Sequence, residues 1–393
     1  MGNCVGKKKT RPSDTYDTQS MERPATAALR RRLSFWTSET PAPPLASTEA
    51  AVPLSSRPSL SLYGCHSPNR QENYDDKTPR ISGISLDSLN AAGVAVACKK
   101  GDKGFVNQDD YCMVFRRKRL IFGVFDGHGE YGHYVSDFVH CRLPVELVDS
   151  ADIKKNPKKA MTAAFAVTQQ ALLSHCKQSD ALFNCQSSGS TGTLVFCRKK
   201  KLVIGHVGDS RAVLGRRLED GEYVAIELTH DHKPNLEKER SRIQSKHGEV
   251  RQMPDDCDYR VFCNGKDYPG LAMSRAFGDI AAQEVGVIAE PDVREYKIKS
   301  NDEFLLICTD GVWEFLSNEN AVKIVSEHGR EQGQKAVEKL CRVAYNQWSR
   351  RCENMIDDIT ALVVFLPKAG CPSYISFTGE WASDSELSMD SHS

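Results

Sequence analysis

The stretch FGVFDGHGEYG, residues 122–132, constrains the fold more than any other part of the chain. Residues 120–125 form an apolar run of strand length and composition, and it stops at Asp126, Gly127, His128 and Gly129. A carboxylate and an imidazole therefore stand at the open end of a buried strand. The two glycines let the backbone turn sharply and bring a carbonyl close to a bound ion, while Asp126 offers the hard oxygens that Mg2+ or Mn2+ prefer. Alone, Asp-Gly followed by Gly is more often a plain turn.

Four further acidic stretches weigh against the plain turn. Asn107, Gln108, Asp109 and Asp110 precede an apolar run at 111–115. Asp209 follows another run in HVGDSR, Asp310 follows a third in LLICTDG, and Asp357 and Asp358 precede a fourth in NMIDDIT. Carboxylates gathered at several strand ends repel one another, and divalent cations between them make the gathering tolerable. With no Cys or His cluster at zinc spacing, Mg2+ or Mn2+ is the expected ion.

Periodicity predicts strands over 91–98, 111–115, 120–125, 191–197, 202–207, 211–215, 303–308 and 359–366, and helices over 132–148, 158–176, 236–247 and 336–348. Residues 247–270 read as an irregular polar excursion. Strand clusters and helix clusters alternate irregularly, which favours an α+β architecture of layered antiparallel sheets covered by helices. Net charge is zero over 393 residues, so no global field argues for nucleic acid as a partner. None of the fourteen cysteines stands in a Cys-x-x-Cys arrangement and no secretory signal opens the chain, so reduced thiols are expected. No apolar run approaches the roughly 20 residues that span a bilayer.

Residues 1–88 are rich in Ser, Thr, Pro and Arg and are expected to lack ordered structure, as is the Ser-rich tail 368–393; the folded domain is expected over 89–367. The MGNC start resembles proteins that are myristoylated on Gly2 and palmitoylated on Cys4, although Gly6 stands where that pattern wants Ser or Thr. Lys7, Lys8, Lys9 and Arg11 follow, and a second acyl chain or a basic cluster is what makes such attachment lasting. The expected location is the cytosolic face of a membrane, the plasma membrane first. Arg30, Arg31, Arg32, Leu33 and Ser34 look like a site for a basophilic kinase.

NQDD, FGVFDGHG, SGSTGT, VGDSRAV, THDHKP, YPGLAMSRAFGD, EPDV, CTDGVWEFL and DDITALVVFL, in this order, resemble the metal-dependent serine/threonine protein phosphatases of type 2C. The resemblance implies a four-layer α-β-β-α sandwich of two antiparallel sheets flanked by helices, with two Mg2+ or Mn2+ ions at one end and a weaker third in some members. It implies that Asp126 bridges both ions, that the Gly127 carbonyl binds one, and that Asp310 and Asp357 are the remaining direct ligands. Asp109 would act through water, and Asp209 would join Asp310 in the weaker third site. Asp279 matches the SRAFGD motif, with metal contact and a turn role both open. His128 matches the proposed general acid for the leaving alkoxide.

Hydrolysis of phosphoserine and phosphothreonine in proteins would then proceed by direct attack of a metal-bridging water, by a monomer, with no Cys or Ser nucleophile. Two departures stand out. Gln108 replaces the Glu of many members, and Gly104 and Phe105 stand where some carry a phosphate-clamping Arg. Lys100 or Lys103 is the candidate replacement. A pseudophosphatase that binds partners through its cleft is the second reading. His230 and His232 are expected in a structural turn, and Cys257 and Cys263 as ordinary thiols of the variable flap.

Overall fold

The unbroken apolar runs are strands buried on both faces, which is why they show no polar alternation. The computed structural model describes residues 61–63, 86–104, 106–116, 119–178, 181–198, 200–254, 256–352 and 355–366. The chain opens with strand β1 (Ser61–Tyr63), helix α1 (Leu86–Ala91), β2 (Val94–Lys99), β3 (Asp109–Arg116) and β4 (Arg119–His128). Helices α2 (Gly132–Asp149) and α3 (Pro157–Cys176) follow, then β5 (Gly189–Ser190), β6 (Gly192–Arg198), β7 (Lys201–Val207), β8 (Arg211–Arg217) and β9 (Tyr223–Glu227). Helix α4 (Glu237–Ser245) leads to β10 (Gly248–Gln252), β11 (Tyr259–Cys263), β12 (Pro269–Leu271), β13 (Phe277–Gly278) and α5 (Ile280–Gln283). The last part holds β14 (Asp292–Lys297), β15 (Asp302–Cys308), α6 (Asp310–Trp313), α7 (Asn318–Ser326), α8 (Gly333–Arg351) and β16 (Ile359–Phe365).

One antiparallel sheet runs β1-β3-β4-β6-β7-β14, with β5 joining β4 to β13; the other runs β2-β16-β15-β8-β9. Side chains divide between faces with period two. Tyr111, Met113, Phe122 and Val124 of the first sheet meet Val96, Leu305, Ile307 and Leu362 of the second in the central core. Cys112, Val114, Ile121 and Phe125 point the other way, into α2 and α3, and Phe304, Leu306 and Val363 point toward α7 and α8. The four layers are therefore helix, sheet, sheet, helix, as the α+β reading expects.

Local chemistry sets the helix ends. Asn156 accepts a hydrogen bond from the Lys159 N–H at 3.1 Å and Pro157 occupies the first turn, so α3 starts where a capping side chain and a pre-set φ coincide. In α8 the buried residues Ala336, Val337, Leu340, Cys341, Ala344 and Trp348 make one stripe on β16 and β2. Trp348 donates its indole N–H to the Gly311 carbonyl at 2.7 Å, and Trp313 donates to the Cys308 carbonyl at 2.8 Å, so both rings brace the turn carrying Asp310.

The structure departs from the sequence reading in several places. Residues 248–271 are not irregular but form a separate three-stranded antiparallel sheet, β10-β11-β12. Its apolar pattern is broken by a buried Arg260–Asp256 pair at 2.6 Å and by Arg251, whose guanidinium lies 3.9 Å from the Phe262 ring centroid. Residues 86–91 are helical, and β2 starts only at Val94, after Gly93 turns the chain with φ +74°. Strands β9 and β14 and helix α7 are not among the predicted elements; β14, DVREYK, carries too few large aliphatics to mark a strand. β1, paired with β3 from Ser61↔Phe115 to Tyr63↔Met113, and the start of α1 fall within the segment expected to lack structure up to residue 88. Gly2, Cys4, the basic residues 7–11, Ser34 and the tail 368–393 lie outside the described residues. Among the described residues no helix is long and apolar enough to cross a membrane.

Candidate metal centre and general acid

Strands β3 and β4 pair with Asp109 opposite Asp126. Beyond this pair, β4 continues as Gly127 and His128 against Ser190 and Gly189 of β5. Thr191 clamps the turn: the Asp126 N–H donates to its Oγ1 at 3.0 Å, and its own N–H donates to the Asp126 carbonyl at 2.9 Å. Asp209 comes in two residues after β7, and Asp310 two residues after β15. Carboxylate oxygens of Asp126, Asp209 and Asp310 all lie within 4.8 Å of one another.

Such proximity is costly without a cation. Burial, followed by the charges of Asp310, Asp109 and Asp209, holds the Asp126 carboxyl well above its ordinary range. Asp109 is pushed up to about 7, chiefly by burial and then by Asp358, although the Thr360 and Thr309 hydroxyls donate to its Oδ2 at 2.7 and 2.8 Å and favour the anion. A divalent ion removes this penalty by supplying the missing positive charge. Gly127 fits the same purpose. A Cβ there would lie 2.4 Å from the Gly132 carbonyl oxygen and 2.7 Å from that of Gln108, so the packed turn admits only glycine. The donor set of hard carboxylates beside a backbone carbonyl fits Mg2+ or Mn2+.

Two lysines enter the acidic group. Lys233 Nζ lies 2.5 Å from Asp209 Oδ2, and Lys103 forms an ion pair with Asp357 while its charge also reaches Asp126. Asp357 is thus placed at the rim with Lys103, whereas Asp126, Asp209 and Asp310 form the close group. Of the two lysines expected to meet phosphate, Lys100 lies half-buried just beyond β2. Asp358, whose charge reaches Asp109, holds backbone. Its carboxylate accepts from the Gly101 N–H at 2.8 Å and the Gln108 N–H at 2.9 Å, tying the 101–108 loop to the start of β16. Gln108 in turn donates from Nε2 to the Gly129 carbonyl at 2.7 Å and braces the metal turn from behind.

His128 Nε2 lies 2.7 Å from Asp279 Oδ2. Burial lowers the imidazole pKa, but the Asp279 charge and hydrogen bond outweigh it, and the net direction is upward. Asp279 sits in left-handed backbone at φ 49°, and a Cβ on Gly189 would fall 2.1 Å from its Oδ2. The SRAFGD motif therefore also reaches the imidazole, a contact in addition to the metal and turn roles left open for Asp279. Thr309, Thr360 and Lys233 were not singled out as site residues from the sequence. The available signal was a polar residue at an apolar strand end, as in CTDG and DDIT. His230 and His232 lie in a turn, where His232 Nδ1 accepts the Gly208 N–H at 3.2 Å and Asp231 pairs with Arg211 at 2.7 Å.

The family model described as "Protein phosphatase 2C" matches residues 102–352. "Probable protein phosphatase 2C 72" of Arabidopsis thaliana is 38% identical over 286 residues, covering 68% of this chain and 84% of that one. "Probable protein phosphatase 2C 48" of Oryza sativa subsp. japonica is 34% identical over 310 residues, 73% of this chain and 87% of its own. Among solved structures, a serine-threonine phosphatase 2C from Toxoplasma gondii superposes with a TM-score of 0.58 at 24% identity, over 70% of this chain and 94% of that one. A C. elegans sex determining protein gives 0.57 at 20% identity, over 74% and 67%. At these identities the solved structures speak for the fold alone.

Proposed function

The chain belongs to the protein phosphatase 2C family and is a metal-dependent serine/threonine protein phosphatase; from that premise we propose which of its residues carry the reaction and where it acts. The supporting observation is the meeting of Asp126, Asp209 and Asp310 at the end of the sandwich that also holds His128.

Asp126, the Gly127 carbonyl, Asp310 and Asp357 would hold two Mg2+ or Mn2+ ions, with Asp109 behind them and Asp209 beside a weaker third. Such ions, when bound, activate water and offset phosphoryl charge. His128, kept protonated toward neutral pH by Asp279, holds the proton that the departing serine or threonine oxygen needs. Lys233 offsets the charge of Asp209, and Lys103 adds positive charge at the rim where a phosphoryl dianion arrives. Gln108 braces the turn through Gly129, a role that needs no carboxylate. The retained carboxylate group argues against the partner-binding pseudophosphatase. We further propose that the protein acts as a monomer, tethered to the cytosolic face of a membrane by acylation at Gly2 and Cys4 with help from Lys7, Lys8 and Lys9. The support is the sequence of that segment.

The test is hydrolysis of a phosphothreonine peptide with Mn2+, with a chelator, and by Asp126→Ala and Asp310→Ala. Metal-dependent turnover that both substitutions reduce by at least about 10²-fold is the expected result. A well-folded wild type without turnover at any Mg2+ or Mn2+ concentration would support the pseudophosphatase instead.

A further inference from the structure

The sequence shows no His/Cys spacing that reads as a zinc motif, yet among the described residues the fold gathers a set of soft and borderline donors distinct from the carboxylates of Asp126, Asp209 and Asp310. Asp137, His140 and Cys141 lie on α2, and a carboxylate oxygen, a ring nitrogen and the thiol sulfur of these residues all come within 4.8 Å of one another. His140 Nε2 is 3.5 Å from Cys141 Sγ. That separation suits two ligands of one tetrahedral ion, whose bonds to nitrogen and sulfur are about 2.0–2.3 Å. The opposite ring nitrogen, Nδ1, lies 3.0 Å from Asp110 Oδ2. A carboxylate on the far nitrogen is the arrangement that fixes the tautomer and direction of a metal-binding imidazole.

We propose that Asp137, His140 and Cys141 form a separate metal site of the class that takes Zn2+, with Asp110 orienting the imidazole and solvent completing the coordination. Thiolate and imidazole select a softer ion than the all-oxygen group at Asp126 does, so the two sites take different metals. Access follows from burial. His140 and Asp110 are fully enclosed, whereas the Asp137 side chain is 45% exposed and Cys141 is half-buried, so an ion enters from the α2 surface and meets a rigid imidazole beneath. Asp137 Oδ1 stands 3.9 Å from His140 Nδ1, on the Asp110 side of the ring, and its exposure leaves it the rotamer freedom to swing toward Nε2 and close on an ion. An ion there pins α2 to the strand that carries Asp109, since the His140–Asp110 contact already crosses from helix to sheet.

Co2+ titration of the full-length protein, after chelator treatment and dialysis, reports directly on thiolate coordination through the cobalt–sulfur charge-transfer absorption. The expected result is a band that saturates with a single equivalent, is displaced by Zn2+, and persists in Asp310→Asn. It should vanish in Cys141→Ser, whose fold is checked by circular dichroism, and Asp137→Asn should weaken the apparent affinity by at least roughly tenfold. No band in the wild type, a band unaltered in Cys141→Ser, or an Asp137→Asn titration matching the wild type would overturn the proposal. Thermal unfolding gives a second readout: Zn2+ raises the Tm of the wild type and not that of Cys141→Ser.

Discussion

Asp279 shows how a single residue governs the chemistry of another 151 positions away. Its carboxylate raises the pKa of His128 against the downward push of burial, so the imidazolium persists to higher pH. Asp279→Asn removes that charge, and Asn tolerates the left-handed backbone that Asp279 occupies. The pKa of His128 then falls, and the basic limb of the kcat–pH profile moves to lower pH. On a phosphothreonine peptide kcat should drop by about 10–100-fold. An aryl phosphate, whose leaving group needs no proton, should be hydrolysed at nearly the wild-type rate. Equal losses on both substrates would mean that Asp279 supports the turn and does not act through His128.

At the scale of elements, the flap sheet β10-β11-β12 packs through Val261 and Leu271 on Ile243 of α4 and Ala282 of α5, and α4 also carries a buried polar network. Arg275 pairs with Glu239 at 2.6 Å and with Asp292 at 2.8 Å, and Ser274 donates to Glu239 at 2.7 Å. Although burial alone would raise it, the Glu239 carboxyl is lowered to about 2 by Arg275 and Ser274. Glu239→Gln leaves Arg275 with Asp292 as its one remaining carboxylate and should cost ~1.5–3 kcal/mol in urea unfolding. Next to this pair, the His206 and His232 rings stack at 4.4 Å, and His206 Nε2 lies 2.9 Å from the His230 carbonyl. Burial first, and then His232, lowers the His206 pKa to about 4 from an ordinary 6.5. A depressed folded-state pKa means stability that is full above pH 6.5 and is lost as pH falls through about 4. Glu239 adds a second loss, beginning below its ordinary 4.5 and continuing to about 2. Urea unfolding measured at steps from pH 7 to pH 4 should show declining stability, and His206→Gln should flatten that decline. An unchanged slope in the variant would move the effect to other groups.

For the whole molecule, the ordered sandwich and the N-terminal segment should separate functionally. β1 pairs with β3, so a deletion that respects the fold ends at residue 60. Removal of residues 2–60 should leave turnover of a soluble phosphopeptide within about twofold of wild type and abolish sedimentation with membranes. Gly2→Ala or Cys4→Ser should each release the full-length protein, since one acyl chain holds only marginally. Membrane association that survives both substitutions would count against acylation as the tether.

Much of this protein was legible in its sequence because the information was local. The runs at 111–115, 120–125, 303–308 and 359–366 are strands, since residues buried on both faces read as unbroken apolar stretches whatever their partners. Asp126 and Asp310 announced themselves as carboxylates at the ends of such runs, whereas DGHG, read as a turn, continues β4 through Gly127 and His128 against β5. What only the tertiary structure decided was which distant groups meet. Asp279 on His128, Thr309 and Thr360 on Asp109, Lys103 on Asp357, and Asp110 on His140 are side-chain contacts set by sheet register and helix docking. The flap was hidden for another reason. Arg260 and Asp256 stand only four residues apart, yet they look like surface residues because burial of a charged pair is decided by what packs over it and not by the residues themselves.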